Sequence, residues 1–129
     1  MIRKPQRAVF GSKPKRQSKP EIPPAPRRFD LEGELCDAIS KRMRVLIWYE
    51  DDVSEREFEP AAVYWTETGR VCVSGVQVRN GADPTEKSRP HNFEVGLIRT
   101  LAVTKTGFVP DPRFDRNNPK YTRGILCSV

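Results

Sequence analysis

The chain has 129 residues, 31% of them charged, and a mean hydropathy of −0.65, a length that supports one domain with a modest core. No apolar run approaches the roughly 20 residues a membrane-spanning helix needs, and Met1-Ile2-Arg3-Lys4-Pro5 lacks the apolar stretch of a secretory signal, so the expectation is a soluble cytoplasmic protein with no membrane contact. The net charge of +6 is unevenly distributed: residues 1–28 carry nine basic residues (Arg3, Lys4, Arg7, Lys13, Lys15, Arg16, Lys19, Arg27, Arg28) against Glu21, a net of +8, leaving 14 basic and 16 acidic residues for 29–129, a net of −2.

Six of the 12 prolines fall in the same 28 residues. Proline removes backbone donors and fixes φ, and the apolar content there is little more than Ile2, Val9, Phe10 and Ile22, so residues 1–28 read as a disordered basic arm. Such an arm is either a solubilising linker or a contact for nucleic acid that acts by counterion release. The stretch Pro20 to Pro26 reads as polyproline-like.

Leu31, Leu35 and Ile39 recur at helical spacing with Ala38 and Met43 beside them, while Glu32, Glu34, Asp37, Lys41 and Arg42 fill the other face. This predicts one amphipathic helix, with Asp30 as N-cap. Strands are expected next: Val45–Tyr49, Arg56–Glu59 stopping at Pro60, Ala62–Trp65, and Arg70–Val78, the last two joined by the hairpin loop Thr66-Glu67-Thr68-Gly69. Gly75 in mid-strand predicts a bulge or sharp bend. Residues 79–91 read as the longest loop of the body, followed by a strand at 92–95 and a strand or short helical turn from Leu97 to Val103. One helix followed by closely spaced strands, with no crossover helices, predicts a mainly β protein built as a small, strongly bent antiparallel barrel. Beyond Phe108 the residues Phe114, Tyr121, Ile125 and Leu126 predict a C-terminal arm, 109–129, packed on the body, with a turn at Asn117-Asn118-Pro119 and an edge strand within 122–129.

Chemistry is sparse. Cys36, Cys72 and Cys127 are far apart and odd in number, which reads as buried thiols in a reducing compartment. Together with His91 they would number four zinc ligands, but the spacing lacks the close pairs that zinc sites draw from turns, so no metal and no cofactor is expected. A Cys–His nucleophile lacks a placed base, and no glycine-rich phosphate loop is present, so the chain reads as non-enzymatic. Arginines at strand ends and in loops, Arg56, Arg70, Arg79, Arg89 and Arg99, are the residues able to grip phosphate or carboxylate. Their alternative is ordinary ion pairing with Glu55, Glu57, Glu59 and Glu94.

The order of these residues resembles the WYL domain. The resemblance runs through Leu35-Cys36-Asp37-Ala38-Ile39 on the helix, the strand Val45–Tyr49, Arg56-Glu57-Phe58-Glu59-Pro60, the stretch Gly69 to Gln77, and His91 to Ile98 followed by Phe108. It covers residues 31–108, and Pro112-Arg113-Phe114 with Tyr121–Val129 is similar to the compact form seen in small stand-alone bacterial proteins. The resemblance implies an SH3- or Sm-like barrel (29–108) that acts as a regulatory sensor of nucleic acid or a nucleotide-like ligand. Carried over to this chain, it points to Arg56, with Gln77, His91 and Arg99 as neighbours, as ligand-binding residues. Two departures stand out: Val71-Cys72-Val73 where the family has Trp-Tyr-Leu, and Leu97 where its closing strand carries a ligand arginine. The alternative function is a protein-interaction or assembly component that holds a partner protein through the barrel edge and the arm.

Overall fold

The computed structural model describes residues 22–129. The arm residues Arg3, Lys4, Arg7, Lys13, Lys15, Arg16 and Lys19 lie outside them, as does the expectation of disorder for 1–21.

Helix α1 spans Phe29–Lys41 and buries Leu31, Leu35, Ala38 and Ile39, the predicted stripe. It ends at Arg42, whose left-handed φ of 57° returns its N–H to the carbonyls of Ala38 and Ile39. Two details differ from expectation. The helix begins before Asp30, which sits in the first turn and takes the Arg28 guanidinium. Glu32, expected on the solvent face, is buried at 6% exposure because Arg27 forks onto its carboxylate at 2.6 and 3.0 Å.

Six strands follow: β1 Met43–Tyr49, β2 Arg56–Trp65, β3 Val71–Asn80, β4 Arg89–Glu94, β5 Ile98–Gly107 and β6 Ile125–Ser128, all paired antiparallel. The sheet runs β4-β3-β2-β1-β5, and β6 adds to β2. A three-residue 3₁₀ turn, Val95–Leu97, leads from β4 straight into β5. These two end strands are not laddered to each other among the described residues. The mainly β architecture with one leading helix is thus as expected.

The strand expected to stop at Pro60 does not stop. β2 runs through Pro60 for 10 residues, with a register shift between Pro60 and Ala62. Gly75 lies opposite, and a Cβ there would fall onto the Glu59 carbonyl and within 2.8 Å of the Phe58 ring. Glycine is required by this close approach. After that bend β2 changes neighbour: its first half pairs with β1 and its second half with β6. The predicted hairpin closes through Thr66 and Arg70, with Gly69 at φ 80°.

The stripe of α1 packs on Val45, Ile47, Phe58, Val63, Val73, Phe93 and Ile98 to form the main core. A second cluster, Ala62, Tyr64, Cys72 and Tyr121 with Phe114 and Ile125 against it, lies under the C-terminal segment. That segment places Phe114, Tyr121 and Ile125 in this cluster and ends in β6.

The expectation of three buried thiols is corrected. Cys36 on α1 and Cys127 on β6, 91 residues apart in sequence, have Cα atoms 5.7 Å apart and form a disulfide, while Cys72 remains a buried thiol. Linear spacing carries no trace of this contact, because folding alone brings the first helix to the last strand. The cytoplasmic reading, which rests in part on unpaired cysteines, loses that support. No helix among the described residues is long and apolar enough to cross a membrane.

The boundary expected at residue 28 also shifts. Residues 22–28 form neither helix nor strand yet are anchored to the body: Ala25 donates its N–H to Glu94 Oε2 at 2.8 Å, and Arg70 donates to the Pro23 carbonyl, to the Ile22 carbonyl and to Glu94 Oε1. Gly96 has no side chain because a Cβ there would strike the Pro26 carbonyl.

Candidate functional site

Three of the four expected ligand residues meet at one end of the sheet. Arg56 opens β2, Gln77 lies beside it on β3, and His91 follows on β4. Gln77 points inward at 1% exposure. Its Oε1 accepts from Arg56 Nη1 at 3.2 Å, and Arg56 Nε donates to Asp52 Oδ2 at 3.0 Å. The Arg56 guanidinium lies 5.7 Å from the centre of the Phe93 ring, and the His91 ring meets the same ring edge-on at 4.5 Å.

Arg99, the fourth, stands apart from this group. It grips the β1–β2 turn through the carbonyls of Glu50 and Asp52 at 2.8 and 3.2 Å. Its connection to Arg56 runs only through Asp52, whose backbone it holds while Arg56 holds the carboxylate.

The centre of the cluster is a residue that sequence reasoning missed. The Glu86 carboxylate, from the 81–88 loop, accepts from Gln77 Nε2 at 3.2 Å and Asn80 Nδ2 at 2.9 Å on Oε1, and from Arg89 Nε at 2.8 Å on Oε2. The Asn80 hydrogen bond and then Arg89 lower its pKa below the usual carboxylate value. Arg89 Nη1 reaches His91 Nδ1 at 3.1 Å. Burial lowers the His91 pKa first, and the charges of Arg89 and Arg56 lower it further. A neutral imidazole that accepts from Arg89 satisfies both facts. Nothing in the sequence distinguishes Glu86 from the other acids, since its role depends on the loop folding back over Gln77.

Three further arginines are engaged in the way surface pairing predicts. Arg44 bridges Glu57 and Glu59, Arg79 bridges Glu55 and Glu57, and Arg70 pairs with Glu94. Of the arm residues, Arg27 is bound to Glu32 and stacked between the Phe29 and Trp65 rings at 4.3 and 4.6 Å, and Arg28 pairs with Asp30. Arg27 is thereby committed to the body, whereas the Arg28–Asp30 pair is exposed to solvent. The seven basic residues and one acid of 1–21 leave 16 basic and 16 acidic residues for 22–129, so the net +6 resides outside the described body.

A second concave feature, a cleft of about 310 Å³, opens between β3, β4 and the C-terminal segment beside Ser74, Gly75, Pro90, Phe114, Lys120 and Tyr121. Ser74 and Tyr121 share a buried hydrogen bond of 2.7 Å across its floor. The Lys120 ammonium lies 5.3 Å from the Tyr121 ring centre, and burial lowers its pKa. The Cys72 thiol is pushed up to about 11 by burial, which keeps it protonated at neutral pH and unsuited to nucleophilic attack.

Comparison with family models, with curated proteins and with solved structures returns no match for this chain.

Proposed function

We propose that the protein is a non-enzymatic, nucleic-acid-contacting regulatory module of WYL-like type, in which the contact is made by the arm and the β body serves as its mount. The observation that carries this reading is the separation of charge: +6 in residues 1–21 and zero in 22–129, where nine cationic side chains, Arg27 to Arg113, are already paired with acids. An arm with seven cations and one acid attracts phosphates through counterion release, whatever the base sequence. The clamp of Arg70, Glu94 and Gly96 on residues 22–26 fixes where that arm leaves the body.

The test is fluorescence anisotropy of a labelled 20-nucleotide single strand with the full chain, over a series of salt concentrations. If all seven cations contact phosphate, log K falls against log salt with a slope of about −5, from roughly 0.7 counterions released per contact on single strands. Changing Arg3, Lys4, Arg7, Lys13, Lys15, Arg16 and Lys19 together to Gln brings that slope close to zero. Salt-independent binding, or no binding by the unaltered chain, overturns the proposal.

A further inference from the structure

The Glu86 cluster has the form of a ligand site filled by the chain's own side chain. Three N–H donors from two strands converge on one carboxylate: Gln77 Nε2, Asn80 Nδ2 and Arg89 Nε, at 3.2, 2.9 and 2.8 Å. Two of the donors are oriented by groups outside the loop that carries the carboxylate. Gln77 is turned by Arg56, which occupies its Oε1, so its NH₂ can face only toward Glu86. Asn80 is turned by the loop itself, because its Oδ1 accepts the Ala82 N–H at 3.0 Å. Arg89 is held from behind by His91.

The energetics favour keeping an acceptor there. Gln77 is 1% exposed, and a buried amide N–H without a partner loses its water without gaining an acceptor in exchange. By contrast, Glu86 arrives on a loop whose other residues, Ala82 to Thr85, Lys87 and Ser88, are exposed. That loop is held partly on itself, through Glu86 N–H to the Asp83 carbonyl and Thr85 to the Asp83 carboxylate, and partly on residues outside it, through Asp83 and Ala82 N–H to Asn80, Gly81 N–H to the Glu55 carbonyl and Ser88 Oγ to the Val78 carbonyl. The cradle belongs to the sheet and the occupant belongs to a surface loop.

We infer that Gln77, Asn80 and Arg89 form a carboxylate-binding cradle, that Glu86 occupies it as an internal surrogate, and that a small ligand bearing a carboxylate binds by displacing Glu86 and lifting the 81–88 loop. A carboxylate is the chemistry that fits: two neutral amide donors on one oxygen and one guanidinium N–H on the other match a planar monoanion better than a phosphate dianion. The inference stands apart from the proposed role of the arm, since none of its residues belongs to 1–28.

The test uses sodium acetate as the probe, with sodium chloride at matched ionic strength as control and inorganic phosphate as a second arm. Binding is read on the full-length protein by NMR from the side-chain amide signals of Gln77 and Asn80. Removing the tethered competitor in Glu86→Ala is expected to tighten acetate binding at least tenfold over the unaltered protein, and adding Asn80→Ala to that variant is expected to reverse most of the gain. In the unaltered protein, acetate is expected to speed hydrogen exchange at the Gly81 and Asp83 amides, whose acceptors lie outside the loop, as the loop lifts. If Glu86→Ala does not fold, Glu86→Gln, which keeps the volume and replaces one acceptor with a donor, takes its place with the same expectation. Equal acetate affinity with and without Glu86, indifference to Asn80→Ala, or tighter binding of phosphate than of acetate overturns the inference. The salt slope of the single-strand assay is expected to stay unchanged in all these variants, so failure of one proposal is read separately from failure of the other.

Discussion

At the scale of single residues the structure depends on close approaches that leave no room for a side chain. Gly75 is the sharpest case, because a Cβ would meet both the Glu59 carbonyl and the Phe58 ring, and Phe58 is fully buried at the centre of the main core. Gly75→Ala is therefore expected to lower stability by about 1–3 kcal/mol through overpacking, read as a lower denaturant midpoint with an unchanged slope. A midpoint within error of the unaltered protein would mean that the bend relaxes without cost. This position is legible in the sequence, since a glycine inside a β-branched run marks a bend or a close backbone approach. Glu32 is not. Helical spacing puts that residue on the solvent face, and the arginine that draws it inward lies before the helix, in residues that read as arm.

At the scale of elements, what can be read in advance is what depends on local pattern. The stripe Leu31, Leu35, Ile39 and the loop ending in Gly69 specify a helix and a hairpin through interactions spanning a few residues, and both form as expected. What cannot be read depends on partners distant in sequence. β2 passes through Pro60 with a register shift against β3, Pro60 lying opposite Gly75 and Ala62 opposite Ser74, a pairing with residues distant in sequence. The same holds for the site: Arg56, Gln77 and His91 stand out in the sequence, whereas Glu86 acquires its place only when its loop folds over β3. The Cys36–Cys127 bridge is another such partner, joining α1 to β6. Replacing both cysteines with Ser is expected to lower the stability of the oxidised protein by about 2–4 kcal/mol, because the bridge closes a long loop in the unfolded chain. The measurement is the denaturant midpoint with and without dithiothreitol. If reductant shifts the doubly substituted protein as much as the unaltered one, the stabilisation does not come from this bridge.

At the scale of the whole molecule, the shifted groups set a pH range for stability. The pKa of His91 is lowered by burial, and those of Glu86, Asp30, Glu55 and Asp111 are lowered by their hydrogen bonds to arginines, Asn80 or backbone. The folded chain therefore binds fewer protons than the unfolded one on the acid side, and stability is lost as pH falls, first below the ordinary histidine value of 6.5 and then below the ordinary carboxylate values near 4. Tyr64 and Cys72 are displaced the other way, to about 12 and about 11, by burial. Their contribution is complete below the ordinary values of 9 to 10 and is lost as pH rises through the folded ones. Thermal midpoints at pH 4, 7 and 10.5 are expected to be highest at pH 7. A midpoint at pH 4 equal to that at pH 7 would show that these acid-side groups titrate alike in the folded and unfolded chain.

The bridge between the first helix and the last strand has one more consequence. It makes residues 36–127 a covalent ring, to which the basic N-terminal residues are attached as a single tail. One protease cut in the 81–88 loop leaves the two pieces joined until a reductant separates them, whereas one cut after residue 21 removes the +6 and leaves residues 22–129, of zero net charge, with the ring intact. Limited digestion thus sorts the molecule into a part that can be lost by a single event and a part that cannot.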